Sequence, residues 1–448
     1  MRVMLIDSGE TYLERTRAMG KPYPHSGIGY LATVLDREGH DITIVDMAAQ
    51  KIKTTDVVSL VQREHPDVVA LSSMTFSVPC TYKIAEAAKT EDITVVAGGV
   101  HPTLLPERTL RECPSIDYVV YGEGEVALPL LLENLESTPV DDVPNLVYRT
   151  GDTIKKNKIQ YIKTLDELPF PDWGLFDYSL YYKLPTENGG ISLYQINSSR
   201  GCPYTCTFCS PIHGKKVRFR SAESLVQEMG LNYEKFNAHH FDFADSNATL
   251  NRGNFAKMCT LLIEEGVPDE VGWSIDTHVG HLDSDLLALA KKAGLQFMSV
   301  GVESGDGPML QHMGKKTTLA QIEAVIKAAT DLDILVKCSL LLGHPYETSE
   351  TAEKTIKFAM YLRKKYKIEY YYNLVDVYPG TELYSMVENG EGGSRWIQGK
   401  RNNWGAYRRD EPMIEVNDLT EEVLKKLYTQ YTQTLNKEKG SNFYEGGG

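Results

Sequence analysis

Cysteine is scarce in this chain, with seven in 448 residues. That excludes a disulfide-stapled scaffold, which crowds cysteine into a short chain. Long apolar runs are missing too. None approaches the roughly 18 residues that a membrane-spanning helix needs, so no membrane span is expected. The opening MRVMLIDSG lacks the charged, apolar and small-residue zones of a secretory leader and reads as a strand. A cytoplasmic location is the expectation. Positive charge is also short: Lys+Arg 47 against Asp+Glu 61 leave −14. A field of that sign repels a phosphate backbone, which argues against general nucleic-acid binding. What is present is ordinary for a globular protein, at 42% hydrophobic and 24% charged residues. The length suffices for two or three domains.

Short apolar runs alternate with helical patterns from the start. RVMLID, DITIVD, DVVALSS, ITVVAGG and DYVVYGEGE are separated by GIGYLATVLDREG, VVSLVQREH, TYKIAEAAK and TLLPERTLREC. This alternation predicts βαβ units around a parallel sheet covered on both faces. Residues 1–135 therefore read as an α/β, doubly wound (Rossmann-like) domain, which binds ligands beyond the carboxyl ends of its strands. Residues 136–189 read as a connector, with weak strand patterns in NLVYRT and TIKKNKIQYI and two prolines in DELPFPDWGLFDY. A second β/α series fills residues 190–384. Its strand candidates are ISLYQINS, HHFDFAD, GWSIDT, FMSVGVES, VKCSLLLG and YYYNLVDVYP. Six units are too few for the closed eight-unit barrel, so an open, partial (βα)6 barrel is expected. Residues 385–448 predict a short, mainly helical C-terminal region. DLTEEVLKKLYTQYTQTL carries one amphipathic helix with Asp418 or Thr420 as its cap, and GSNFYEGGG reads as a disordered tail.

Three of the cysteines fall in SSRGCPYTCTFCSP, residues 198–211. The other four, Cys80, Cys113, Cys259 and Cys338, are scattered among apolar neighbours and read as buried thiols. A thiolate site that only holds a fold closes its sphere with four ligands. Cys202, Cys206 and Cys209 leave one position open. Cubane iron–sulfur clusters take Cys thiolates, and with three supplied one iron remains for another ligand. A zinc site completed by His213 is the competing reading. The motif follows a predicted strand, which puts it at the carboxyl-end mouth of the barrel.

CPYTCTFC, with Phe208 before the last cysteine, resembles the radical S-adenosylmethionine (SAM) enzymes. The resemblance implies a 4Fe–4S cluster on Cys202, Cys206 and Cys209, with the open iron chelated by SAM. It implies an external one-electron reductant and cleavage of SAM to a 5′-deoxyadenosyl radical. Around the cluster, Phe208 would contact SAM. SVGVESGDGPMLQHMGKKTT resembles the family's fourth-strand segment, in which Glu303 and Ser304 would bind SAM. A carboxylate there can accept from both ribose hydroxyls. LLLGHPYETSE resembles the fifth-strand turn, with Gly343 beside the ligand, and VDVYPGTELY the sixth-strand segment. HHFDFADSNATLNRG carries Ala244 where relatives more often have Asp, leaving Asp245 as the polar contact. Thr277 and His278 stand where members often carry Arg.

KPYPHSGIGYLATVLDREGHDITIVD, AGGVHPTLLPE and DYVVYGEGE resemble the cobalamin-binding domain of a radical SAM subgroup, the cobalamin-dependent methyltransferases. The likeness runs from residue 1 to about 385. It implies that Ser73, Met74, Thr75, Gly98, Gly99, His101, Gly122 and Glu123 contact cobalamin. His101 reads equally as a plain loop histidine. The D-x-H-x-x-G motif that supplies His to cobalt does not occur in residues 1–135, and DTHVGH lies in the barrel without the final Gly. The subgroup typically binds cobalamin without that His. A domain that keeps the fold but has lost cobalamin is the alternative.

The resemblance further implies methylation of an unactivated carbon. One SAM would methylate cobalamin, a second would give the radical, and the substrate radical would take the methyl. An organic or peptidyl substrate is expected, such as a glutamine Cα; lipids, antibiotic precursors and tetrapyrroles stay open. The alternative is a radical cyclase, dehydratase or rearrangement enzyme with a non-methylating cobalamin domain. The tyrosines of YYKLP and IEYYYN read as surface or core residues ahead of cavity lining.

Overall fold

The computed structural model describes residues 1–9, 23–135, 140–181, 183–184, 191–210, 212–267, 271–407 and 410–437. The chain divides into two compact units, Met1–Tyr182 and Lys183–Gly448.

In the front unit, β1 (Arg2–Asp7), β2 (Asp41–Asp46), β3 (Val68–Ser72), β4 (Thr94–Gly98) and β5 (Tyr118–Val120) run parallel. Each is a short apolar run because both faces are covered. Period-two alternation splits the side chains between two cores. Met4, Ile6, Val69 and Leu71 pack on one side with Val57 and Ile84 of the helices Thr54–Glu64 and Val78–Thr90. Val3, Leu5, Val68 and Ala70 pack on the other with Ala32 and Leu131 of the helices Ser26–Arg37 and Ala127–Asn134. The strand order is β2-β1-β3-β4-β5. The order reverses beside β1, and doubly wound sheets bind ligands at such a switch point.

Two further strands, β6 (Leu146–Thr150) and β7 (Thr153–Lys156), add antiparallel to β5. Residues read above as a connector therefore complete the front sheet and close the open edge of β5. The chain that follows is also bound to this unit. Asp172 N donates to Thr33 Oγ1 (2.7 Å), and Tyr181 OH donates to Asp46 Oδ2 (2.9 Å). Trp173 is buried against Gly29, where a Cβ would lie 3.0 Å from the indole.

The second unit has β8 (Lys183–Leu184), β9 (Ile191–Ile196), a small ladder of β10 (Ser199–Arg200) with β11 (Arg218–Phe219), then β12 (His240–Phe243), β13 (Gly272–Thr277), β14 (Leu295–Glu303), β15 (Leu335–Leu342) and β16 (Glu369–Leu374). The sheet order is β16-β15-β14-β13-β12-β9-β8. The strands β9 and β12 to β16 are parallel, with β8 antiparallel at the edge. This is the open six-unit barrel that the sequence implies. A ladder of β17 (Ser394–Trp396) with β18 (Ile414–Val416) and the helix Glu421–Lys437 finish the chain. Of the two cap candidates, Thr420 Oγ1 accepts from Val423 N (3.4 Å). Asp418 instead accepts from Ser349 N (3.0 Å), at the start of the helix Ser349–Tyr366. The tail GSNFYEGGG lies outside the described residues. Among those described, no helix is long and apolar enough to cross a membrane.

Candidate active site

Cys202, Cys206 and Cys209 lie between β10 and β11, beyond the carboxyl end of β9. Gly201 has φ +95°, and a Cβ there would stand 2.6 Å from Lys216 O. Only glycine allows that approach. Cys202 N donates to Gly214 O (3.2 Å), and Cys209 N donates to Cys206 O (3.1 Å). The middle of the loop is pinned from three directions. Thr207 N donates to Met313 O (3.1 Å), Thr207 O accepts from Leu383 N (2.8 Å), and Thr207 Oγ1 lies 2.7 Å from His344 Nε2. Phe208 packs against Met309, Met313 and Leu341. It anchors the loop to the barrel.

Glu303 ends β14 with φ +63°, beside an irregular register between Gly301 and Glu303. Lys315 Nζ lies 3.0 Å from its Oε1 and 2.8 Å from Gly301 O. A Cβ on Gly301 would collide with Glu303 Oε1, so glycine there makes the pair possible. Both charges act on the cysteines. Burial pushes the Cys206 thiol up, and burial with the neighbouring Cys206 and Cys202 pushes Cys209 up to about 11; Lys315 pulls both down. Sequence reasoning missed Lys315, although it stands inside the quoted GKKTT segment.

Other residues expected at SAM also bond within the chain. Asp245 is buried, its Oδ2 accepts from Ser198 N (3.0 Å), and its Oδ1 accepts from Ser199 N and from Ser199 Oγ (2.7 Å). Its carboxylate braces the strand end that leads into the cysteine loop. Ser304 Oγ accepts from Asp306 N (3.1 Å) and lies 3.0 Å from Thr355 Oγ1, inside the turn after β14. Gly343 has φ +89°, and its N donates to Glu347 Oε2 (2.6 Å). Burial pushes the Glu347 carboxyl up to about 8. This turn meets the cysteine loop through His344.

His278 and His281 form a second unexpected contact with the loop. The Tyr204 ring stacks on His278 with centroids 4.5 Å apart and planes 15° apart, while its hydroxyl meets His281 Nε2. Burial, Lys315 and His281 hold His278 down to about 4, so its ring is neutral at pH 7. The signal was the H-x-x-H spacing in DTHVGH, read only as an incomplete cobalt motif.

Among the described residues, polar atoms buried at this end of the barrel without a protein partner include Ser210 Oγ, Asn247 Nδ2, His278 Nε2 and Thr317 Oγ1. They sit on loops following β10, β12, β13 and β14. Asn247 Oδ1 accepts from Thr277 Oγ1 (3.1 Å) and His278 N (3.4 Å), which fixes the amide with Nδ2 as the idle donor. Buried polar groups need partners, so a polar ligand suits this mouth. Three thiols on one pinned loop suit a cubane, whose ligands spread over separate irons. Among the described residues no three His, Cys, Asp or Glu side chains close around a single metal ion.

In the front unit the strand ends are laced together. Ser73 N donates to Gly98 O (2.9 Å), and His101 N donates to Ser73 O (3.0 Å). Gly99 has φ +92°, and a Cβ would lie 2.8 Å from Ser73 N. Gly122 N donates to Thr103 Oγ1 (2.9 Å). Of the residues expected at cobalamin, Met74, Gly98, Gly99 and Gly122 are half-buried, while Ser73, Thr75, His101 and Glu123 are buried. Glu123 Oε2 accepts from Ile162 N (2.7 Å), tying the GEGE loop to the chain after β7. His101 Nδ1 lies 3.4 Å from Thr75 Oγ1, and burial holds the ring down to about 4. A glycine-lined rim lets a broad, flat ligand approach the backbone, so the residues present fit a corrinoid.

Residues 16–132 match the B12 binding domain, and residues 196–359 match the Radical SAM superfamily. With the three-cysteine loop at the barrel mouth, these matches define a radical SAM enzyme that carries a cobalamin-binding domain. An uncharacterized methyltransferase of Pyrococcus horikoshii is 30% identical over 420 residues, covering 92% of this chain and 87% of that protein. The anaerobic magnesium-protoporphyrin IX monomethyl ester cyclase of Cereibacter sphaeroides is 30% identical over 351 residues, covering 75% and 56%. The fold is shared with the radical SAM methyltransferase TsrM from Kitasatospora setae, solved with cobalamin and a 4Fe–4S cluster bound (TM-score 0.69, 17% identity, 87% and 75% covered). The chain belongs to the family of cobalamin-dependent radical SAM enzymes, which includes methyltransferases. Its cofactors are SAM, a 4Fe–4S cluster and cobalamin.

Proposed function

We propose that the protein is a C-methyltransferase that moves a methyl group from SAM, by way of cobalamin, to an unactivated carbon. A peptidyl carbon such as glutamine Cα is one acceptor of this class. The observation that carries the reading is the pairing of a B12-binding sheet with a three-cysteine barrel, at 30% identity to a methyltransferase across 92% of this chain. When bound, the cofactors supply a radical able to take hydrogen from carbon and a transferable methyl group. The chain's part is to hold and align them. Cys202, Cys206 and Cys209 would hold the cluster. Glu303, oriented by Lys315, accepts from the SAM ribose. Met74, Gly98, Gly99 and Gly122 bed the corrinoid. His101 would be held beside that bed by its contact with Thr75.

A second reading, radical cyclisation without methyl transfer, is favoured by the cyclase relative, of which this chain spans 56%. Labelled SAM separates the two. The reduced holoenzyme, given methyl-labelled SAM without substrate, should yield label in the extracted corrinoid. An unlabelled corrinoid beside abundant 5′-deoxyadenosine would leave the cyclase reading standing instead.

A further inference from the structure

Strand alternation fixes which side chains face the inside of the barrel. Trp273 of β13 meets Phe243 of β12 and Phe255 of the helix Arg252–Glu264, with centroids 5.6 and 5.8 Å away. These rings lie on the helix side of the sheet. Their strand neighbours Asp242, Ser274 and Asp276 therefore face inward, and Ser274 Oγ donates to Asp242 Oδ1 (2.7 Å). On β16, Tyr372 meets Tyr431 of the C-terminal helix, so Tyr371 faces inward. Lys337 of β15 lies over the Tyr371 ring, 4.7 Å from its centroid. Ser299 of β14 lies beside both Tyr371 and Asp276, and Ser339 of β15 lies beside Tyr371.

The inner face thus carries polar groups on each strand from β12 to β16, alongside the apolar Phe297 of β14 and Leu341 of β15. A closed (βα)8 barrel fills the same space with layers of bulky branched apolar side chains. Here the space is open to water. Asp276 is exposed by area, and Ser299, Lys337, Ser339 and Tyr371 are half-buried. Their alternates Ile275, Val300, Cys338 and Tyr372 are buried in the helix layer. Desolvation and the nearby Asp242 push the Asp276 carboxyl up to about 6. With Asp242, Lys337 and Tyr371 it lines the recess that the inner face of the open barrel encloses. Tyr371 feels the charges of both Asp276 and Glu303, so the polar face continues to the expected SAM side.

We infer that this recess is the substrate pocket and that it takes a polar substrate rich in hydrogen-bonding groups, not an isoprenoid or a tetrapyrrole. Asp242 and Asp276 take donors such as amine, amide or hydroxyl groups. Lys337 and Tyr371 take acceptors. An apolar substrate would desolvate these groups and offer them no hydrogen bond in return. The inference rests on the methyltransferase reading for its assay.

The test gives reduced holoenzyme methyl-labelled SAM and an extract of the source cells, removes SAM, methionine and corrinoid by chromatography, subtracts the label found with extract alone, and partitions the remaining products between water and chloroform. Label should appear in the aqueous phase, and size filtration then separates a peptide product from a small molecule. Aqueous label should fall about tenfold or more in Asp276→Leu and in Lys337→Met, the effect of losing a charged hydrogen bond. Labelling of the corrinoid should not change in either variant; its loss in the wild type would strike the methyltransferase reading and not the pocket. Label in the chloroform phase, or aqueous label undiminished in both variants, overturns the inference. If no product is labelled, equilibrium dialysis with zinc protoporphyrin IX decides. Saturable binding to the wild-type holoenzyme overturns the inference. Binding only after both substitutions supports it.

Discussion

Lys315 Nζ stands 3.0 Å from Glu303 Oε1 in a pair whose two side chains are both buried. The pair lies beside Cys206 and Cys209, whose thiols feel both charges. Glu303→Ala should leave the cluster in place and weaken SAM binding about ten- to a hundredfold, since a charged hydrogen bond contributes about 1.5–3 kcal/mol. Lys315→Met should do more. It strands a buried carboxylate, and breaking such a pair destabilises by about 3–5 kcal/mol. Equilibrium binding of SAM and a denaturant titration read the two effects separately. Unchanged SAM affinity in Glu303→Ala would mean that the carboxylate faces something else.

Iron should follow three cysteines only. The triple Ala variant of Cys202, Cys206 and Cys209 should lose the brown absorbance and all SAM cleavage. Cys80→Ser, Cys113→Ser, Cys259→Ser and Cys338→Ser should each keep the cluster. Iron analysis after anaerobic reconstitution checks both halves, and iron lost from any of the four single variants would reveal a second site.

Asp245→Ala distinguishes a brace from a ligand contact. The structure gives this carboxylate three donors, all from Ser198 and Ser199. Its loss should lower the melting temperature of the cluster-free protein and cut iron incorporation. A variant with normal iron and stability but weakened SAM binding would restore the contact expected from the sequence.

Glu347 makes stability depend on pH. Its carboxyl is raised from 4.5 to about 8 by burial, so the folded state holds a proton that the unfolded state releases. The native state then binds more protons within that window, and stability falls as pH rises through it. That contribution is full below 4.5 and gone above about 8. Glu347→Gln keeps an acceptor for Gly343 N and cannot ionise. Its melting temperature should therefore lie above the wild type at high pH and show a flatter profile. Parallel profiles would show that Glu347 is ionised in the folded protein.

Much of this was legible because it is local. The C-x3-C-x2-C spacing, the strand runs and the open barrel all follow from short patterns. What was not legible depends on partners far along the chain. That Asp245 also accepts from Ser198 and Ser199 could not be read from its own segment. Residues 146–156 looked like a connector because nothing local says that they pair with β5. Trp173 sits in a proline-rich stretch, and its burial depends on the missing side chain of Gly29. The barrel interior was half legible: alternation marks Asp242, Asp276, Lys337 and Tyr371 as one face, but only the fold says which face is inside.

The most direct measurement of the central claim counts two products of one reaction. Reduced holoenzyme with SAM, cobalamin and a substrate-containing extract should form S-adenosylhomocysteine and 5′-deoxyadenosine in comparable amounts, together with methylated product. Omitting cobalamin should abolish S-adenosylhomocysteine and the methylated product. Formation of 5′-deoxyadenosine alone, at a rate indifferent to cobalamin, would contradict methyl transfer.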